Sequence, residues 1–381
     1  AKKNPLPSSS SLCALRGRTV LYRTLAESIS GSFVPRPCDQ HPHSAPPDDK
    51  VVVEYESQLI HIISLEEKTQ TIKVLLHVTE VWHDSTLRWN ETEFGGLNET
   101  WLPSDSVWVP DIIAFNMLNR VDVLSSVRST VSIRSDGRVS FSYPQIVTFM
   151  CAIHIADFPF DAQKCTLEIA SWGYSAEKLR LRPVQHSGTL LQHYQQNEEW
   201  ALTNLSVDVA LFSHEENVVT EVRIALSLQR KPLYFISALL IPSYIICVLS
   251  VAGLFARFST RDERQERFSL GVTATLTLSV LSLVVTEKVP HTSDEIPILV
   301  LYFHLNTLVV TVATVLTSVS MRISEWRGDT FKSKRFRLSR RDFLRLADYA
   351  DKAFFFIFMI ILTIPFAYMT YRCAALSGQY A

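Results

Sequence analysis

Four stretches of this chain, residues 232–256, 268–286, 296–321 and 353–371, contain no Asp, Glu, Lys or Arg, and they are 25, 19, 26 and 19 residues long. At about 1.5 Å rise per residue even the shortest helix reaches about 28 Å, close to the thickness of a hydrocarbon core. A single run of this kind fits a buried core helix, and the second run is rich in Ser and Thr. Four of them in one half of a 381-residue chain argue for a membrane bundle. Average composition hides this, because 47% hydrophobic and 20% charged residues are ordinary totals. A net charge of -1 gives no basis for nucleic-acid binding.

The charges between the runs orient them. The first loop carries Arg257, Arg261, Arg264 and Arg267, and residues 322–352 carry ten Lys or Arg against five acids. Positive loops stay in the cytoplasm. The reading is therefore a multi-pass plasma-membrane protein with both termini outside. Residues 1–231 form an extracellular domain, the spans are 232–256, 268–286, 296–321 and 353–373, residues 322–352 form a short inner loop, and 374–381 form an outer tail. No leader-like segment starts the chain, so it is read as a mature form.

Within residues 1–231, Asn90, Asn98 and Asn204 head Asn-x-Ser/Thr glycosylation sites. Cys13, Cys38, Cys151 and Cys165 lie in the same region, where an oxidising compartment favours disulfides; the pairs expected are Cys151–Cys165 and Cys13–Cys38. Cys247 and Cys373 belong to the membrane runs and are read as unpaired. Residues 19–29 have a helical apolar pattern. From Val51 the period becomes that of strands: 51–55, 58–64, 71–83, 129–134, 138–143, 166–170 and 221–228, separated by turns such as Ser135-Asp136-Gly137. Many short strands without intervening helices predict an all-β, immunoglobulin-like two-sheet sandwich preceded by one helix. His41 and His43 lie in a Pro-rich loop with no third ligand, so no metal site is expected. No nucleotide loop, zinc-protease motif or nucleophile elbow is present, and no enzyme or cofactor is predicted.

Cys151 and Cys165 enclose thirteen residues with Phe158-Pro159-Phe160-Asp161 near their centre. With four membrane runs and a sandwich upstream, this segment resembles the signature loop of pentameric Cys-loop ligand-gated ion channels. Similar stretches include Trp108-Val109-Pro110-Asp111, Ser171-Trp172-Gly173-Tyr174 and Gln229-Arg230-Lys231-Pro232. The resemblance covers roughly residues 19 to 373 and points to the nicotinic acetylcholine receptor-like, cation-selective branch. It implies four further identical or related subunits, a small extracellular ligand such as an amine or zwitterion, permeant cations, and contact with membrane lipids. The basic inner stretch also suits anionic lipid headgroups.

Helical steps from Glu266 place Ser269, Thr273, Leu276, Val280, Val284 and Glu287 on one face of the second run. Repeated around an axis, that face gives hydroxyl and apolar rings bracketed by carboxylate rings, an arrangement that suits a cation pore with a dewetting gate. The alternative is that the Ser and Thr residues only pack against neighbouring helices. Arg267 and Lys288 follow the two carboxylates, so a rotated helix would present bases. Where anion-conducting relatives typically have a Pro-Ala insertion, this chain reads Gln265-Glu266-Arg267. For coupling between the domains, the resemblance singles out a Glu67–Arg230 ion pair and Phe158, Pro159 and Phe160 pressing on the linker around Pro290. A plain surface salt bridge is the blander reading of that pair.

The implied ligand site is an aromatic box that binds a cation over ring faces. Here it is incomplete. Trp172 matches the central tryptophan, Phe115 stands where a tyrosine is usual, and Tyr174 and Phe212 are further candidates; the capping loop has no adjacent cysteine pair and carries Val219 where a second aromatic is expected. His77 stands where a tryptophan is usual, and Ser140 and Ser142 join the candidate set. Trp82 reads as core. If His77 and His214 line the pocket, the response would depend on pH. Acetylcholine is expected to be a poor agonist. The alternative function is a modulatory subunit that conducts poorly alone.

Overall fold

The computed structural model describes residues 46–124, 129–184, 191–214, 217–255, 263–288, 296–330 and 340–378. The helix expected over 19–29, Cys13, Cys38, His41, His43 and Pro290 lie outside the described residues.

Among the described residues, eleven strands build the N-terminal domain: β1 Val51–Glu66, β2 Thr71–His83, β3 Glu99–Pro103, β4 Ile112–Ala114, β5 Met117–Asp122, β6 Thr130–Arg134, β7 Arg138–Met150, β8 Ala162–Ser171, β9 Leu179–Pro183, β10 Trp200–His214 and β11 Asn217–Arg230. One sheet runs β3-β6-β7-β2-β1-β9, and β5 also pairs with β7; the other runs β10-β11-β8-β4. The two stretches read as separate strands at 51–55 and 58–64 form the single strand β1. Burial alternates without a break from Val51 through Glu56 and Ser57 to Leu59, and the register shifts only later, between Leu59 and His61 and between Ile62 and Ser64. Strands β3, β4, β5, β9 and β10 were not expected, since they are short or expose both faces.

On β2 the inward set is Ile72, Val74, Leu76, Val78, Glu80 and Trp82, all buried, five apolar positions and one carboxylate. The turn into β7 depends on Gly137, at φ +86, because a Cβ there would lie 2.5 Å from the Asp84 carbonyl oxygen. A disulfide joins Cys151 to Cys165, and the Phe158–Pro159 peptide bond within that loop is cis.

Four helices follow that are long and apolar enough to cross a membrane: α1 Leu233–Phe255, α2 Glu263–Lys288, α3 Ile298–Thr330 and α4 Arg340–Ser377. Helices α3 and α4 overrun the charge-free runs, so that 322–330 and 340–352 of the inner segment are helical, the latter continuing directly into the fourth run. The first turns of α1 contain a π segment, Ile236–Leu240, just before Pro242, whose missing N–H breaks the regular ladder. Gly271 lets α2 meet α3 closely, since a Cβ there would fall 2.1 Å from Thr314 Oγ1. Cys247 and Cys373 are free and buried.

The disulfide loop touches three of the helices. Phe158 packs on Phe235 of α1 with ring centroids 5.0 Å apart. Ile298 at the start of α3 donates its N–H to the Ala156 carbonyl at 2.9 Å. Arg372 of α4 lies 5.1 Å over the Phe160 ring and 3.4 Å from Asp157.

Candidate functional site

The aromatic candidates divide into two groups. Phe115, just after β4, lies 5.9 Å from Trp172, after β8, and 6.3 Å from Phe212 on β10, both edge-on. Trp172 is 68% exposed. Asp111 fixes its loop by accepting hydrogen bonds from Ser171 Oγ at 2.6 Å and from the Gly173 N–H. Tyr174 instead sets its ring against Trp108, which packs edge-on against the buried Trp82. Val219, opposite Phe212 in the hairpin, is buried and adds nothing to the cluster. His77, Ser140 and Ser142 stand on the other sheet, on the outer face of β2 and β7. Ser142 Oγ is 3.3 Å from His77 Nε2 and 2.8 Å from Thr79 Oγ1. Side-chain placement at His214 lies outside the described residues.

At the base of the sandwich, Arg230 is completely buried and pairs with three carboxylates: Glu67, Asp161 at 2.9 Å and Glu199 at 2.8 Å. Three rings cover its guanidinium, with centroids at 4.2 Å for Trp200, 4.9 Å for Phe158 and 5.7 Å for Phe235. Burial alone would lower its pKa, and the charges of Asp161 and Glu67 more than offset this and raise it. The Glu67 contact singled out in the sequence is thus one arm of a buried cluster and no surface salt bridge. Asp161 is the last residue of Phe-Pro-Phe-Asp, and its position beside an invading arginine went unread; Glu199 gave no sequence signal.

On α2, Glu266, Ser269, Thr273, Leu276, Val280, Val284 and Glu287 are all exposed on the single subunit. The helix buries a narrow stripe of Arg267, Gly271, Ala274, Leu278 and Val285 instead. Thr273 donates its hydroxyl to the Ser269 carbonyl at 2.8 Å, and Thr277 donates to the Thr273 carbonyl at 2.9 Å. These bonds use the hydroxyl protons and leave oxygen lone pairs facing outward.

A second buried charge sits in the sandwich interior. Glu80 is 1% exposed, and its Oε1 accepts a hydrogen bond from the Tyr143 hydroxyl at 2.7 Å. Burial pushes its carboxyl up to about 7, while the Tyr143 hydrogen bond and the charge of Arg120 pull the other way. Tyr143 is raised in turn, first by burial and then by Glu80. Sequence reasoning passed over this glutamate, although its place among Ile72, Val74, Leu76, Val78 and Trp82 marks it as inward-facing.

Comparison with known proteins fits this geometry. Residues 36–232 match the neurotransmitter-gated ion-channel ligand binding domain, and residues 239–346 match the neurotransmitter-gated ion-channel transmembrane region. The chain belongs to the neurotransmitter-gated ion-channel family, whose members are ligand-gated channels and not enzymes. It is 48% identical over 285 residues to the proton-gated ion channel subunit pbo-6 of Caenorhabditis elegans, a match covering 75% of this chain and 67% of that one. It is 31% identical over 276 residues to the acetylcholine receptor subunit alpha-type deg-3 of the same organism, covering 70% of this chain and 48% of the relative. The neuronal acetylcholine receptor subunit alpha-9 of Gallus gallus is 30% identical over 307 residues, covering 80% and 60%. The matched stretch thus spans about half to two thirds of these relatives. Members of the family assemble as pentamers and bind small ligands.

Proposed function

We propose that this chain is one subunit of a cation-selective pentameric channel in the plasma membrane, and that extracellular protons, in preference to acetylcholine, open it. The observation that carries the channel reading is the rotation of α2: Glu266 is exposed while the neighbouring Arg267 is buried. Five such helices around an axis would present carboxylates at the inner mouth. Thr273 oxygens would face permeating cations above them. Leu276, Val280 and Val284 would supply apolar rings able to empty of water, and Glu287 a second carboxylate ring at the outer mouth. Exposure of Asn90, Asn98 and Asn204 on the sandwich supports an extracellular, glycosylated N-terminal domain. The contacts of Phe158 with α1 and of Phe160 with α4, together with the Arg230–Glu67 pair, supply the route by which the sandwich would move the helices.

Two features favour the proton. A relative 48% identical is named a proton-gated subunit. The aromatic cluster also keeps Phe115, Trp172 and Phe212 but has Val219 buried and His77 on the facing sheet, a weak cage for a quaternary amine. A protonated amine is the second reading, favoured by the exposure of Trp172. Whole-cell recording from cells expressing the chain separates them: inward current is expected on acidification and little on micromolar acetylcholine at neutral pH. A large acetylcholine current at neutral pH with no acid response would overturn the proton reading. A chain that is silent alone yet alters a co-expressed subunit's currents would establish the modulatory alternative.

A further inference from the structure

Glu80 is a buried carboxylate whose surroundings do not complete it. Its Oε2 has no hydrogen-bond partner, and Oε1 has only the Tyr143 hydroxyl. From β1 its cross-strand neighbour is Tyr55, from β7 it meets Phe141 and Tyr143, and from β5 the charge of Arg120 reaches it. The second sheet contributes Ile112, Leu167 and Ile169 to the adjoining cavity, all uncharged. Among the described residues Arg120 is the cation whose charge reaches Glu80, and it is shared: its Nε donates to the exposed Asp122 at 2.8 Å, and its guanidinium lies 5.4 Å over the Tyr143 ring.

Resting on the proton-gated reading above, we propose that Glu80 is a proton-binding site through which extracellular pH acts on the channel, and that Arg120 carries the change to the cleft beside Trp172. That cleft is lined by Pro110, Asp111, Ile112, Ile113, Arg120 and Trp172, so Arg120, whose charge reaches the buried carboxylate, also lines the surface beside Trp172. Ionised, Glu80 draws Arg120 inward. When a proton joins Oε2 the carboxylate becomes a neutral acid with a hydroxyl to donate, the attraction is lost, and Arg120 is left to Asp122 and the cleft. A channel state with Arg120 farther from Glu80 holds that proton more tightly, so acid favours it. Each unit of difference in proton affinity between two states biases their equilibrium about tenfold per subunit. Burial pushes the Glu80 carboxyl up to about 7, so a modest acidification changes its charge.

The test compares wild type with Glu80→Gln and Arg120→Gln. Currents are recorded from about pH 8 to about pH 5, with the chain alone and with a second subunit of the family. Infrared titration follows carboxyl protonation in the purified full-length channel. Wild type is expected to respond to acid and to show a carboxyl band titrating near neutrality. Glu80→Gln should lose that band and shift half-activation by about one pH unit or more. Arg120→Gln removes both the cation that lowers the carboxyl and the carrier of the change, so its carboxyl band should move to higher pH while the acid response weakens; it remains informative if Glu80→Gln does not reach the surface. Acid-responsive wild type with Glu80→Gln and Arg120→Gln superimposed on it would overturn the Glu80 site and leave proton gating standing. A band unchanged by Glu80→Gln would overturn the site equally. Wild type indifferent to acid in both expression formats would instead remove the proton-gated reading itself.

Discussion

Arg230 and Glu80 are both charged, both buried and both in the same sandwich, yet their environments are opposite. Arg230 has three carboxylates and three ring faces around it. Glu80 has one hydroxyl, one unpartnered oxygen and a single cation that also serves Asp122. A buried charge with a full set of partners is held in one ionisation state and becomes part of the frame. One with an incomplete set shifts toward its neutral form and can change charge within the working pH range. The first sits where the sandwich meets the helices, and the second sits in the sandwich interior beside Tyr143.

The largest effect is expected at the completed cluster. Arg230→Met removes the cation paired with buried Asp161, and loss of one partner from a buried pair typically costs about 3 to 5 kcal/mol. Surface labelling should fall steeply and the purified channel should melt at lower temperature; unchanged melting would mean the cluster is not structural. Arg230→Lys should be only partly better, since an ammonium cannot reproduce the forked contacts.

A smaller effect, opposite in sign at alkaline pH, is expected at Glu80. Its folded-state value of about 7 exceeds the ordinary 4.5. Its contribution is therefore present in full below about 4.5 and is lost as pH rises through about 7. Because the amide of Glu80→Gln does not titrate, the stability difference between variant and wild type should swing toward the variant by about 3 kcal/mol across that window. Thermal melts at several pH values read this directly, and parallel pH profiles for the two proteins would contradict it. The smallest effect belongs to Glu199, which is 52% exposed although it touches Arg230. Glu199→Gln should change stability by less than about 1 kcal/mol. A drop as large as that of Arg230→Met would mean the three carboxylates are not as unequal as their exposure suggests.

How far the sequence reaches is visible in these same residues. Uninterrupted apolar runs announce membrane helices because lipid tolerates few charges, and a strand with one wet face announces itself by alternation. Strand β10 exposes much of both faces and slips register between Leu202 and Asn204, so it gave no such signal. The Glu67–Arg230 contact was readable only through resemblance to a family, and the depth of its burial was not readable at all. Asp161 and Glu199 reach Arg230 across 69 and 31 residues of chain, a separation no local pattern encodes. Glu80 was legible in principle. A carboxylate on the inward period of a strand is a local contradiction, and such contradictions mark functional positions.

The central claim, a cation pathway lined by α2, rests on Glu266 facing outward and Arg267 inward. It is tested most directly by the reversal potential of the open channel under ion substitution, in wild type and in Glu266→Ala. Wild-type reversal should follow the sodium gradient, and loss of the carboxylate should move it toward the chloride potential. A wild-type reversal potential that tracks chloride, or one that Glu266→Ala leaves unmoved, would contradict the account.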